Sequence, residues 1–134
     1  MLTAFDVLIL GATPAGIAAA RGAVAHGAVA AIIEPTSHVG GILASGLCVT
    51  DSRARQNIRG FAGTFYQDLG RHYGYDQPSY GFEPRAAELV FTSYLIHGQI
   101  SVFLDRHITS IAKNGKTIAS VSRLHRRREL LPRH

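Results

Sequence analysis

Apolar positions recur along the chain in two periods. Phe5 to Leu10 (FDVLIL) is a short β-branched and apolar run that stops at Gly11. It reads as a strand buried on both faces, as in a parallel sheet. Pro14 to His26 is alanine-rich and broken only by Gly16 and Gly22. It predicts a helix, with Thr13 as N-cap and Pro14 at the first helical position, where a missing N–H costs nothing. Gly27 stands where a helix would be capped. Ala28 to Glu34 (AVAAIIE) is a second strand, closed by Pro35. Strand, helix and strand within roughly thirty residues make a βαβ unit.

Further along, Ser37 to Asp51 is rich in glycine and small residues and reads as a loop or an interrupted helix. Phe61, Phe65, Leu69 and His72 fall at helical spacing within 60–73. The segment 74–81 is a loop. A second clear helix covers 83–97, with Pro84 in its first turn and Ala87, Val90, Phe91, Tyr94 and Leu95 on its apolar face. Ile100 to Leu104 (ISVFL) is a third strand. Ile108 to Ala112 and Thr117 to Val121 flank Asn114-Gly115, a hairpin signal. From Arg123 onward no period can pack, so 1–122 is expected to be a partial domain and 123–134 a basic, disordered tail.

Composition narrows the class. An apolar share of 46% with 17% charged residues supports one globular core. Cys48 is the only cysteine, which excludes a disulfide framework and any zinc site built from several thiolates. That fits a reducing compartment, and the cytoplasm is the expected location. No basic leader and no span of apolar residues long enough for a bilayer are read in the sequence, so no membrane partner is expected. The net charge of +5 is unevenly spread. Residues 1–105 hold 6 basic against 8 acidic side chains, giving −2, and residues 106–134 hold 8 against 1, giving +7. A basic nucleic-acid-binding protein is one reading of that asymmetry. The short run lacks interleaved aromatics and lies on no periodic face, which favours a solvated tail.

Chemistry concentrates in Gly11-Ala-Thr-Pro-Ala-Gly16, between a strand and a helix. A glycine lets the chain turn out of the strand, and the helix amino terminus offers unpaired N–H groups to a pyrophosphate. Gly16 allows the helix to pack closely on the sheet. Thr13 occupies the place of the middle glycine of the usual G-x-G-x-x-G. Glu34 ends the second strand, where a carboxylate can accept hydrogen bonds from both ribose hydroxyls of an adenosine and repel a 2′-phosphate. The seven histidines show no metal-ligand spacing with a supporting carboxylate, so no metal is assigned; His38 reads as a surface residue, and His72 and His97 as partly exposed.

The stretch from Phe5 to Leu47 resembles the start of FAD-dependent oxidoreductases with a glutathione-reductase-like fold. The resemblance runs from Phe5 to Asp51, more loosely to about Val121, and does not cover the tail. It is most similar to a bacterial branch whose fingerprint reads G-x-T-P-A-G. In that branch Thr13 and Pro14 are the expected residues, followed by an acidic residue, Gly-Gly, a Ser-Gly-Leu loop and Thr-Asp. Those correspond to Glu34, Gly40-Gly41, Ser45-Gly46-Leu47 and Thr50-Asp51. The resemblance implies an α/β, Rossmann-like three-layer FAD/NAD(P)-binding domain with a parallel sheet, incomplete at this length. It implies FAD as cofactor, with Gly11, Thr13, Pro14, Ala15 and Gly16 around the pyrophosphate and Glu34 on the adenosine ribose. Gly40 and Gly41 would allow close backbone approach, and the backbone at Ile108 would lie against adenine. Cys48 sits where the second cysteine of a flavin disulfide reductase would fall, but Leu43 stands at the first, so thiol–disulfide exchange is not expected.

The expected function is therefore the ADP-moiety-binding portion of an FAD-dependent oxidoreductase, truncated and not catalytic alone. The family's later segments beside the ribityl chain and its substrate domain have no counterpart here, and catalytic residues and the small-molecule substrate stay unassigned. A stand-alone NAD-binding Rossmann module is the alternative; the Gly40-Gly41 and Ser45-Gly46-Leu47 loop favours FAD over it.

Overall fold

A computed structural model describes residues 4–46 and 49–125. Three parallel strands form the central sheet: β1 (Val7–Leu10), β2 (Ala30–Ile33) and β3 (Ile100–Phe103), in the order β1-β2-β3. Val7 pairs with Ala30 and Ala30 with Ile100, and the register runs without a break to Leu10, Ile33 and Phe103. Helix α1 (Pro14–Ala25) connects β1 to β2. Helices α2 (Gly60–His72) and α3 (Pro84–Leu95) lie between β2 and β3. A 3₁₀ turn over Gly41–Ala44 interrupts the loop after β2. The parallel α/β, Rossmann-like arrangement is as the sequence predicts.

The core lies between the sheet and the helices. Ile17, Ala20 and Val24 of α1 meet Ala30 and Ile32 of β2, while Ala87, Val90 and Phe91 bring α3 onto the same cluster. Alanine dominates α1, so this helix approaches the sheet closely. Aromatic rings fill the wider space between α2 and α3. Phe65 stacks on Phe91 with centroids 4.2 Å apart and planes 8° from parallel. Phe82 meets Phe65 edge-on at 5.9 Å. Such pairs contribute roughly 0.5–1.5 kcal/mol beyond area burial. The Tyr73 hydroxyl donates to Glu83 just before α3, and this bond holds the exposed Glu83 carboxyl below the usual carboxylate range. Burial and the neighbouring Asp68 carboxylate push the Tyr94 hydroxyl well up, so it stays a donor to Asp68.

Beyond β3 the chain turns at Asp105, whose φ of +52° is one an aspartate tolerates better than most residues. It enters a hairpin of β4 (Arg106–Asn114) and β5 (Thr117–His125). Arg106 N–H donates to the Glu34 carbonyl at 3.0 Å, which ties the start of β4 to the end of β2. Both hairpin strands are longer than their apolar cores predict. Antiparallel bonding continues through polar positions because these strands are mostly exposed and polar side chains are solvated there. Arg123 lies in β5, with its guanidinium 3.7 Å from the Phe103 ring centroid. The sequence-defined tail is therefore strand as far as His125, and 126–134 lie outside the described residues.

The expectation for β1 needs correction. Its residues alternate in burial instead of being covered on both sides. Val7 and Ile9 pack on the core, but Leu8 is 40% and Leu10 65% exposed. The physical reason is the face each residue points to: Val7 and Ile9 face the helices and the core, while Leu8 and Leu10 face the opposite side of the sheet, which is left open over this edge strand. Val7 and Gly11 direct their N–H groups to Val29 and Ile33, so the alternate residues Leu8 and Leu10 turn theirs to the open side. β2, between two strands, is buried at all four positions.

Candidate functional site

At the carboxyl end of the sheet, β1 leaves through Gly11 at φ +95°. That conformation is strained for any other residue, while the space around a Cβ there is ordinary, with Thr13 nearest at 3.5 Å. Thr13 N-caps α1: its hydroxyl accepts the Gly16 N–H at 3.2 Å, and its carbonyl accepts Ile17 N–H at 2.9 Å. Pro14 has no N–H to satisfy. The N–H groups of Thr13 and Ala15 have no acceptor among the described residues, and both residues are exposed. They stand at the positive end of α1, a setting that favours an anion.

Gly16 explains the tightness of this turn. A Cβ there would lie 2.1 Å from the Gly11 carbonyl oxygen. Only glycine lets the first turn of α1 sit against the end of β1. Gly40, at φ +99°, is equally restricted, since a Cβ would reach 2.7 Å from the Phe91 ring and 2.9 Å from Ala44. The core aromatics thus press the second glycine loop into place. Gly41 follows, where an added Cβ would meet Thr13 and Pro14 at 3.5 Å, an ordinary contact distance.

Glu34 joins the two loops. It is 8% exposed, yet no cation pairs with it among the described residues. One carboxylate oxygen accepts the Ala12 N–H at 2.7 Å. The other accepts the Thr36 N–H at 2.8 Å and the Thr36 hydroxyl at 2.7 Å. Ala12, fully buried, is held from its other side as well, because its carbonyl accepts the Gly40 N–H at 2.7 Å. Ala12 is therefore stapled at both polar atoms, to the end of β2 and to the start of the Gly-Gly turn. A buried carboxylate bonded to three donors is far less costly than a bare one.

Most of the sequence-predicted residues converge here. Gly11, Thr13, Pro14, Ala15 and Gly16 form the turn into α1, and Glu34, Gly40 and Gly41 are joined to it through the Ala12 bonds and the packing of Gly41 beside Thr13. Ile108 stands apart, half-buried on β4 and paired with Arg123, two residues past the Arg106–Glu34 link. His38 faces α3, with Nδ1 3.0 Å from a Glu88 carboxylate oxygen, and is exposed as expected. His72 and His97 are exposed. Among the described residues no cluster of His, Cys, Asp and Glu could hold a metal ion. Ser45 caps the 3₁₀ turn through a 2.8 Å bond to the Gly41 carbonyl, and Thr50 bonds the Tyr66 hydroxyl at 2.7 Å. Leu47 and Cys48 lie outside the described residues. Sequence reasoning missed Ala12 and Thr36. A threonine two positions after a carboxylate, able to bond back to it, was the available signal.

Residues 6–130 match the family model described as FAD dependent oxidoreductase. The chain belongs to the FAD-dependent oxidoreductase family. No curated protein matches it. Solved structures similar to this FAD-dependent oxidoreductase chain share its fold at low identity. Thermovibrio ammonificans THI4 is 16% identical with a TM-score of 0.57, covering 90% of this chain and 48% of its own. T. acidophilum thioredoxin reductase is 19% identical with a TM-score of 0.53, covering 89% and 30%. The Mycobacterium smegmatis Sdh1 complex is 13% identical with a TM-score of 0.60, covering 90% and 31%. The chain thus spans less than half of each of these matched chains. Among the described residues, no helix is long and apolar enough to cross a membrane.

The site's chemistry fits an ADP-containing cofactor. The cradle at Gly16 has no room for a Cβ, two N–H groups at the start of α1 lack acceptors, and a carboxylate closes β2.

Proposed function

We propose that this chain is the ADP-holding part of an FAD-dependent oxidoreductase and does not turn over substrate by itself. The observation that carries the reading is the Gly11–Gly16 turn, with the open N–H groups of Thr13 and Ala15 set beside the buried Glu34. In this reading Gly11, Thr13, Pro14, Ala15 and Gly16 receive the pyrophosphate. Glu34 accepts from the adenosine ribose and disfavours a 2′-phosphate. Gly40 and Gly41 keep side chains away from the cofactor, and the Ile108 backbone meets adenine. FAD, when bound, supplies redox chemistry at its flavin ring.

What these residues do is bind and orient one end of that molecule. The N–H groups and the positive end of α1 neutralise charge on the pyrophosphate. Glu34, prealigned by Ala12 and Thr36, requires little reorganisation on binding. Surroundings for the ring would come from polypeptide beyond these residues; the open β1 edge and the 30–48% spans of the matched chains support that. The cytoplasm is the proposed location, and the substrate is a small molecule.

Calorimetric titration with ADP, FAD and 2′-phospho-ADP tests the reading. ADP and FAD should bind with similar affinity and 2′-phospho-ADP more weakly. Anaerobic flavin reduction by a panel of hydride donors should proceed at the free-cofactor rate. Tight retention of FAD through gel filtration, or reduction far above that rate, would refute the non-catalytic assignment.

A further inference from the structure

The Glu34 carboxylate is nearly saturated before any ligand arrives. A carboxylate offers about four lone-pair positions, two on each oxygen. Thr36 fills both on Oε1, with its N–H at 2.8 Å and its hydroxyl at 2.7 Å. Ala12 fills one on Oε2. One position is left. A ribose presents two neighbouring hydroxyls, so only one of them finds a full acceptor.

The Thr36 hydroxyl is well held in this place. Its single proton has two acceptors in reach: Glu34 Oε1 at 2.7 Å and the His38 carbonyl at 3.2 Å. The shorter and charge-assisted bond to Glu34 is the stronger. The His38 N–H approaches the same hydroxyl oxygen at 3.4 Å, and the Thr36 carbonyl accepts Asp105 N–H at 2.9 Å. Thr36 is therefore anchored from the hairpin side and from the Gly-Gly side.

We propose that Thr36 determines how this site reads a nucleotide ribose: by occupying Glu34 Oε1 it confines recognition to one of the two hydroxyls. The inference rests on the nucleotide-binding reading above. Thr36 acts through Glu34 and is a specificity-setting, positioning residue. Removing its hydroxyl frees a lone pair on Oε1 and lets the second ribose hydroxyl bond there.

The experiment is calorimetric titration of the full chain with ADP, 2′-deoxy-ADP and 3′-deoxy-ADP. The unaltered protein should bind one deoxy analogue about 10-fold or more weakly than ADP, as for a lost hydrogen bond to a charged group. The other analogue should bind within about 2-fold of ADP, since its missing hydroxyl had no free acceptor. Thr36→Val should make both analogues weak, and Thr36→Ser should restore the asymmetry. Equal penalties for the two analogues in the unaltered chain would overturn the proposal while leaving nucleotide binding intact. An unchanged pattern in folded Thr36→Val would also overturn it. Absence of ADP binding in the folded, unaltered chain would overturn the nucleotide reading and this inference with it. Because the asymmetry is read first in the unaltered chain, the test does not depend on Thr36→Val folding.

Discussion

The turn that follows strand β1 and the lateral edge of that strand face opposite conditions. Its carboxyl end runs into the Gly11–Gly16 turn, where Ala12 is fully buried and both of its backbone polar atoms are bonded. Its lateral edge, only residues away, leaves Leu8 and Leu10 exposed and their N–H and C=O groups directed outward. The difference teaches that one strand can be fixed at its carboxyl turn and open along its edge. The proposed nucleotide end is shaped by one βαβ unit, one carboxylate and one glycine turn packed against Phe91 of α3. A purely parallel sheet is ordinarily covered on both faces and continued past its first strand. At the turn both polar atoms of Ala12 are bonded, while β1 along its length is an edge strand of the described sheet.

The sharpest way to break the turn is Gly16→Val. The first added carbon would stand 2.1 Å from the Gly11 carbonyl, and the obstruction is backbone, which cannot swing aside. Overpacking of this kind costs roughly 3 kcal/mol. Loss of ADP binding should accompany it, because α1 must move off β1. Urea denaturation and titration with ADP would measure both. A stable, ADP-binding Gly16→Val protein would show that the turn is looser than its geometry.

Glu34→Ala should have the next largest effect. It leaves the buried Ala12 N–H without its acceptor and releases Thr36. An unsatisfied buried donor costs about 1–3 kcal/mol, and a similar loss is expected in ADP binding. Glu34→Gln should be milder for folding, since an amide oxygen can still accept from Ala12. Comparing denaturation of the three proteins without nucleotide separates the structural part of Glu34 from its part in binding. If Glu34→Ala is as stable as the unaltered chain, the stapling of the two loops contributes nothing and the contrast with the open edge fails.

Much of this was legible in the sequence where a local rule governs it. Thr13 and Pro14 predict the cap and first turn of α1, and both occupy those places. The 3.6-residue spacing of Phe65 and Leu69, and of Ala87, Val90 and Phe91, predicts the buried faces of α2 and α3. The burial of β1 was not legible, because an apolar run carries no mark of whether both faces of the sheet are covered. Strand length in the hairpin was hidden too. Arg123 reads as tail by its charge, yet its planar guanidinium stacks on Phe103, a contact fixed by tertiary position. Within the site, fingerprint and carboxylate were readable, but the Ala12–Glu34–Thr36 bonds join residues 22 and 2 apart and depend on the folded turn.

Leu10→Lys is the smallest expected change, and it tests the other side of the comparison. Leu10 is 65% exposed, and its backbone polar groups lie on the outer side of an edge strand. A surface substitution free of packing typically shifts stability by less than about 0.5 kcal/mol. Lysine keeps an aliphatic stem against the strand and places its charge in water. It is also a common guard on exposed edges, where it discourages pairing between molecules. Leu10→Lys should therefore unfold in urea with the midpoint of the unaltered chain, bind ADP equally well, and show less self-association in sedimentation at rising concentration. A stability loss above about 2 kcal/mol, of the kind seen when a buried leucine is replaced, would mean that the edge is covered in solution. The turn after β1 and its edge would then be alike in being covered.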